Sequence, residues 1–352
     1  MLVLAAGCGS DDGSTSGANP SVSDTAAPSP TTAAAPATEG GTSAEVLTAA
    51  QAFLATLGDD ERSAVVAART QDNLAQWSNL PDQLFERAGL RMDALNTEQQ
   101  QAAMAVLQAA LSPEGYTQVQ QITAADGVLA ESGGPDLDFG ADHYWVRFVG
   151  EPSASSPYTV QFGGHHLAVN ATVLGSKLTL APTLWGAQPA SYEEAGATTE
   201  PLGGETTKAF ALMAALDADQ QQQATLDASM AEIVLGAGQD GKTLAPEGMQ
   251  ALTFTAEQKQ LLLDLVDEWL RPLGSQDVAA KLAAARAEVD QMRFAWSGET
   301  TAGNSIYYRV QSPSFVIEFA HQQGQGANAG GVTHIHSIYR ETENDYGAGL
   351  GG

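Results

Sequence analysis

Tyr144-Trp145-Val146-Arg147-Phe148-Val149 is the stretch at which the chain changes period. Before it, apolar residues recur at helical spacing, up to a Gly- and Asp-rich break from Ser132 to Asp142. From Tyr144 onward the chain is rich in β-branched and aromatic residues, in part alternating with polar ones, as in strands that bury one face. Tyr158 to Val173 and Lys177 to Leu180 continue the pattern, with Gly, Pro and Ser between them. An antiparallel meander is expected here.

Upstream, Ala44, Val46, Leu47, Ala50, Phe53, Leu54 and Leu57 keep a helical period, and Ser43 with Glu45 supplies an N-cap and a favourably placed early carboxylate. Asp59-Asp60-Glu61-Arg62 opens a second helix through about Ala68, and the Pro81-containing stretch from Trp77 to Phe85 reads as a loop with a short helix. Asn96 and Gln99 have the spacing of a capping box ahead of an amphipathic run to about Leu111. Ser112-Pro113-Glu114 then starts another helix, with proline at its first position.

The second half repeats this plan. Short helices are expected from Glu205 to about Leu216 and from Ala218 to about Ser229. The segment Gly248-Met249-Gln250-Ala251-Leu252-Thr253-Phe254-Thr255-Ala256-Glu257-Gln258 matches Gly89-Leu90-Arg91-Met92-Asp93-Ala94-Leu95-Asn96-Thr97-Glu98-Gln99 in order of residue types. Two helices follow in each half. The aromatic-plus-arginine strand Tyr307-Tyr308-Arg309-Val310 then aligns by eye with Tyr144 to Phe148, and Phe315 to Phe319 with Tyr158 to Phe162. The reading is an α+β fold, an antiparallel sheet or partial barrel flanked by helices, with pseudo-repeats at about 89–181 and 248–347 inside one globular domain, 43–352.

Composition sets the surroundings of that domain. With 43 % hydrophobic residues in 352, the chain can bury a large core. A formal net charge of -27 disfavours nucleic acid and anionic lipid surfaces as partners. The single cysteine, Cys8, excludes an internal disulfide; in Leu4-Ala5-Ala6-Gly7-Cys8-Gly9-Ser10 it resembles a bacterial lipobox, although the basic segment and most of the apolar run that accompany such a signal are missing. Residues 9–42 are almost entirely Ser, Thr, Ala, Pro, Gly and Asp, a tether that cannot offset its own ordering entropy. These features lead us to expect an acidic lipoprotein, residues 1–8 being a signal remnant, held outside the bacterial cell membrane by one lipid anchor on Cys8.

Four of the six histidines fall in Gly164-His165-His166-Leu167 and Thr333-His334-Ile335-His336-Ser337. On an extended strand His334 and His336 share a face, ~7 Å apart, and two such imidazoles can share a metal ion. His165 and His166, read as strand residues, face opposite ways, with His165 on the buried side and His166 on the wetter one. The expected ligand set is His166, His334 and His336, with His165 as the alternate and Glu318 or Asp345 assisting; zinc or copper suits it. His143 and His321 carry no partner pattern and read as surface or loop residues. Arg147, Arg309 and Arg340, set among strand aromatics, need carboxylate partners such as Glu318, Asp345 or Glu341, or else recognise an anionic ligand. Pro182 to Pro189, with Trp185, reads as a rigid loop that seals the core. Phosphate-cradling loops, serine elbows, His-Glu-x-x-His helices and a cysteine nucleophile are all missing from the motifs.

Gly164-His165-His166-Leu167, Pro182 to Ala190, Phe294-Ala295-Trp296-Ser297-Gly298, Tyr307 to Val310, Phe315 to Phe319, His334-Ile335-His336-Ser337 with Arg340, and Asn344-Asp345-Tyr346-Gly347 occur in an order that resembles the uncharacterised bacterial and fungal family called domain of unknown function 3500. The resemblance spans Ser43 to Gly349. The family pattern has Asn directly before the first His of the His-x-His pair; here Thr333 stands there, and Asn328 lies further upstream. The resemblance implies a real, exported domain and transfers no activity. What the residues themselves favour is a ligand- or metal-binding role through strand-borne histidines. The alternatives are a metal- or His-dependent hydrolase at the cell surface and a non-catalytic interaction module.

Overall fold

A computed structural model describes residues 42–132, 137–324 and 330–351, apart from the side chains of 275 and 276. They belong to one compact unit, Glu39–Gly352. Cys8, nearly all of the tether and Asn328 lie outside the described residues.

The first half begins with helices α1 (Ser43–Ala55) and α2 (Asp59–Val65), the short strand β1 (Val66–Ala67), α3 (Gln71–Leu74) and β2 (Leu90–Arg91). Helix α4 (Thr97–Ala110) starts at Asn96, whose side chain accepts from Gln99 N while Gln99 Oε1 accepts from Asn96 N. Helix α5 (Pro113–Glu131) starts at the Ser112 cap with Pro113 first. The meander follows as β3 (Trp145–Val149), β4 (Tyr158–Gly164), β5 (Leu167–Leu174), β6 (Lys177–Thr179) and β7 (Leu184–Ala187). Two departures from the sequence reading matter. The Tyr158 to Val173 run is not one strand but a hairpin turning at His165-His166, and the expected loop from Pro182 to Pro189 contains a strand that pairs on both sides.

After a small hairpin, β8 (Tyr192–Glu194) and β9 (Ala197–Thr199), the second half runs α6 (Gly203–Ala215), α7 (Ala218–Ala224), β10 (Met249–Gln250), α8 (Ala256–Leu270), α9 (Ser275–Glu288), β11 (Arg293–Gly298), β12 (Ile306–Gln311), β13 (Phe315–Gln323) and β14 (Val332–Glu341). Its registers repeat those of the first half. Leu90 pairs with Val146 as Met249 pairs with Phe294, Phe148 with Val160 as Trp296 with Tyr308, and Val160 with Ala171 as Tyr308 with Phe319. Gly89 and Gly248 both have positive φ, and a Cβ at either would meet the partner strand's carbonyl at 2.5 and 2.4 Å. The counterpart of β3 is therefore β11, not the Tyr307 to Val310 strand that composition suggests. Aromatic-plus-arginine composition misled there, because register depends on the preceding turn and pairing rather than on residue type.

The strands form an open sheet in the order β1-β3-β4-β5-β7-β14-β13-β12-β11-β10, antiparallel except at β1–β3. It does not close into a barrel. The halves meet where β7 pairs with β14, and Thr183 and Tyr339 exchange both backbone N–H···O bonds at 3.0 Å. Helices α1 and α4, and in the same way α6 and α8, pack together and contribute with the sheet to one continuous apolar core. Among the described residues no helix is long and apolar enough to cross a membrane.

Candidate metal centre

Strand β7 joins the two histidine clusters. On one side Trp185 pairs with Leu167, the first residue after the His165-His166 turn; on the other Gly186 pairs with His336. A Cβ on Gly186 would lie 2.5 Å from Ile335 O and 3.2 Å from His166 O, so only glycine lets both clusters approach. The turn itself is clamped. Arg87 donates to Gly164 O at 3.0 Å, the Tyr144 hydroxyl donates to His165 O at 2.9 Å, and His166 N donates to Asn79 O at 3.1 Å. His166 has φ 63°, a left-handed conformation that such clamping must hold in place.

Because His165 and His166 form a turn, their rings do not diverge to opposite faces. They lie one over the other with centroids 3.7 Å apart, and His166 is the buried member at 1 % exposure, the reverse of the strand-based expectation. His166 Nε2 is 2.7 Å from His334 Nε2, which is 3.0 Å from His336 Nε2. These three nitrogens form a group that could hold a metal ion, and Asp126, His165 and His166 form a second. Burial, reinforced by the neighbouring histidines, depresses the His166 pKa well below its usual value, and it depresses that of His334 to about 3.

The proton count around the cluster is informative. Glu232 accepts from His336 Nδ1 at 2.7 Å; in the tautomer with its proton on Nδ1 the ring carries a lone pair on Nε2, which Asn79 Nδ2 approaches at 3.2 Å. His334 Nε2 can hydrogen-bond to that lone pair only by donating, and it then cannot also accept from His166 Nε2. Neutral rings then either share one His334 proton between two acceptors or leave one of the short contacts unbonded. A cation between the three lone pairs satisfies all of them, and His334 Nδ1 is in any case buried without a partner. Glu232 is held low by its bonds from His336 and Gln322, against the upward push of burial. It orients His336 as a carboxylate behind a metal-binding imidazole does.

The residues expected to assist lie elsewhere. Glu318 accepts from Val234 N, Leu235 N and the Tyr307 hydroxyl at 2.9, 2.7 and 2.6 Å, tying the 230s loop to β13. Asp345 accepts from Arg340 at 2.7 Å and from Glu341 N at 3.0 Å. Neither belongs to a group that could hold a metal. The arginines are internally engaged: Arg340 with Asp345 and Asp240, Arg309 with Glu247, and Arg147 with Gln161 and Gln76, burial pushing Arg147 down to about 10. His143 sits beside Asp138. His321 is not in a loop; it lies within β13, paired with Ile306 and Ile335, its Nε2 buried without a partner. Glu232 and Asn79, whose Nδ2 lies 3.2 Å from His336 Nε2, escaped the sequence reading because both sit in loops with no periodicity.

Residues 39–348 match the family described as Protein of unknown function (DUF3500). The chain belongs to this DUF3500 family. The match takes in His166, His334, His336 and Glu232 alike. No curated protein and no solved structure matches the chain. In this DUF3500 member the cluster borders a cavity of about 340 Å³, lined by His165, His334, His336 and Glu232 together with Leu80, Leu84, Leu129 and Phe139.

Proposed function

We propose that the protein binds one transition-metal ion, zinc or copper, through the Nε2 atoms of His166, His334 and His336. The observation that carries this reading is the convergence of the three imidazole Nε2 atoms, with 2.7 and 3.0 Å between successive members. Imidazole sets of this kind suit zinc and copper, and the outer carboxylate of Glu232 completes a familiar metal-site pattern. Purified protein exchanged into zinc or copper is expected to retain about one equivalent after dialysis, and His334→Ala to retain none. Wild type without bound metal overturns the reading.

A metal-dependent hydrolase is the second reading, favoured by the adjoining cavity, since catalytic ions keep a position open to substrate. Zinc-dependent turnover of p-nitrophenyl acetate, lost in His334→Ala, would separate it from binding alone. The lipobox-like Cys8 and the Ser/Thr/Ala/Pro segment behind it support an exported, lipid-anchored location, with the membrane touched only through the anchor. Palmitate labelling of wild-type cells that persists in Cys8→Ser would sink that proposal.

A further inference from the structure

The cavity beside the histidines has two kinds of lining. One is imidazoles and Glu232; the other is Leu80, Pro81, Leu84, Leu129 and Phe139, whose ring stacks on His165 with centroids 4.7 Å apart. Lysine and arginine are missing from the described lining, and the chain as a whole carries -27, so an anionic group would find no cationic side chain there. Leu80 and Leu84 are 42 % and 61 % exposed, two of the three large hydrophobic side chains the described surface leaves open. Their exposure is not slack in a mobile loop. Arg87 ties the loop to Gly164 O and to Ser78 O, and its partner Asp82 also accepts from Trp145 Nε1 at 2.8 Å. Apolar side chains on a tethered loop, lining the same cavity as a histidine cluster, are the form of a small-molecule site with one coordinating pole.

We propose that this cavity takes a small uncharged ligand with an apolar or aromatic body packed on Leu80, Leu84 and Phe139 and a single donor atom turned to the histidine cluster. The inference rests on the metal reading above. It is tested with zinc-loaded full-length protein and two neutral donors, imidazole and 4-phenylimidazole, by calorimetric titration. The phenyl group adds only apolar contact, so 4-phenylimidazole is expected to bind at least tenfold more tightly than imidazole. In the Leu80→Ser, Leu84→Ser double variant, which alters exposed side chains only, that ratio is expected to fall towards one while imidazole affinity holds. Equal affinities in zinc-loaded wild type, or a ratio untouched by the double variant, overturn the inference and leave the metal site standing. Failure to load either zinc or copper overturns the metal reading and the inference with it.

Discussion

Glu232 shows how a single carboxylate can determine the chemistry of three rings. It reaches His336 Nδ1 from a loop, and Gln322 Nε2 holds it there at 3.0 Å. Replacing it with Gln keeps the shape and removes the charge, and the amide can present NH₂ where the carboxylate accepted. Outer carboxylates of this kind contribute about 10- to 100-fold to metal affinity. Glu232→Gln is therefore expected to weaken zinc binding by about that factor in a chelator competition, with little change in unfolding midpoint because the side chain is half exposed. An unchanged affinity would show that Glu232 does not orient the site. The histidines themselves were legible in the sequence as residues; their partner was not, since nothing in Met230-Ala231-Glu232-Ile233 marks it.

At the scale of elements, β7 decides whether the two clusters meet. It is only Leu184–Ala187, flanked by prolines, and alternation over so few residues cannot distinguish a strand from a loop. Its pairing on both edges settles the matter in three dimensions. Gly186→Ala forces a methyl to within 2.5 Å of Ile335 O, backbone that cannot swing aside. The expected cost is about 1 to 3 kcal/mol of stability, as for other overpacked cores, with loss of metal because β14 and the His166 turn are pushed apart. Chemical denaturation together with metal content checks this; full metal retention would show that the approach of the clusters does not depend on Gly186. The β4–β5 turn teaches the same lesson. Local sequence allowed His165-His166 to be strand or turn, and only the Gly164 with Leu167 pairing chose the turn that stacks the rings.

Across the whole molecule the two halves share registers, and individual buried side chains still carry consequences of their own. Glu205 on α6 is 4 % exposed and accepts from Gln118 Nε2 at 2.7 Å; burial pushes its carboxyl up to about 7. The folded state thus holds a proton that the unfolded chain releases above its ordinary value of 4.5. Stability from this group is fully present below about 4.5 and is lost as pH rises to about 7, by roughly 3 kcal/mol in all. Glu205→Gln, neutral throughout, is expected to flatten that slope and to be the more stable protein at pH 8; parallel urea curves for the two at pH 4.5 and pH 8 would count against it. The amino-acid sequence by itself determined the long helices and the Asn96 and Ser112 caps, the change of period at Tyr144, the α+β class and the candidate histidines, because capping and periodicity are written within a few residues; it misplaced the α1 cap, which is Thr42 and not Ser43, and the short helix, which is Gln71–Leu74 and not within Trp77 to Phe85. Only the tertiary structure decided the open sheet, the β3 with β11 correspondence, the β7 bridge and the place of Glu232. Those depend on which distant edges pair, and pairing energy belongs to contacts between segments rather than to any segment alone.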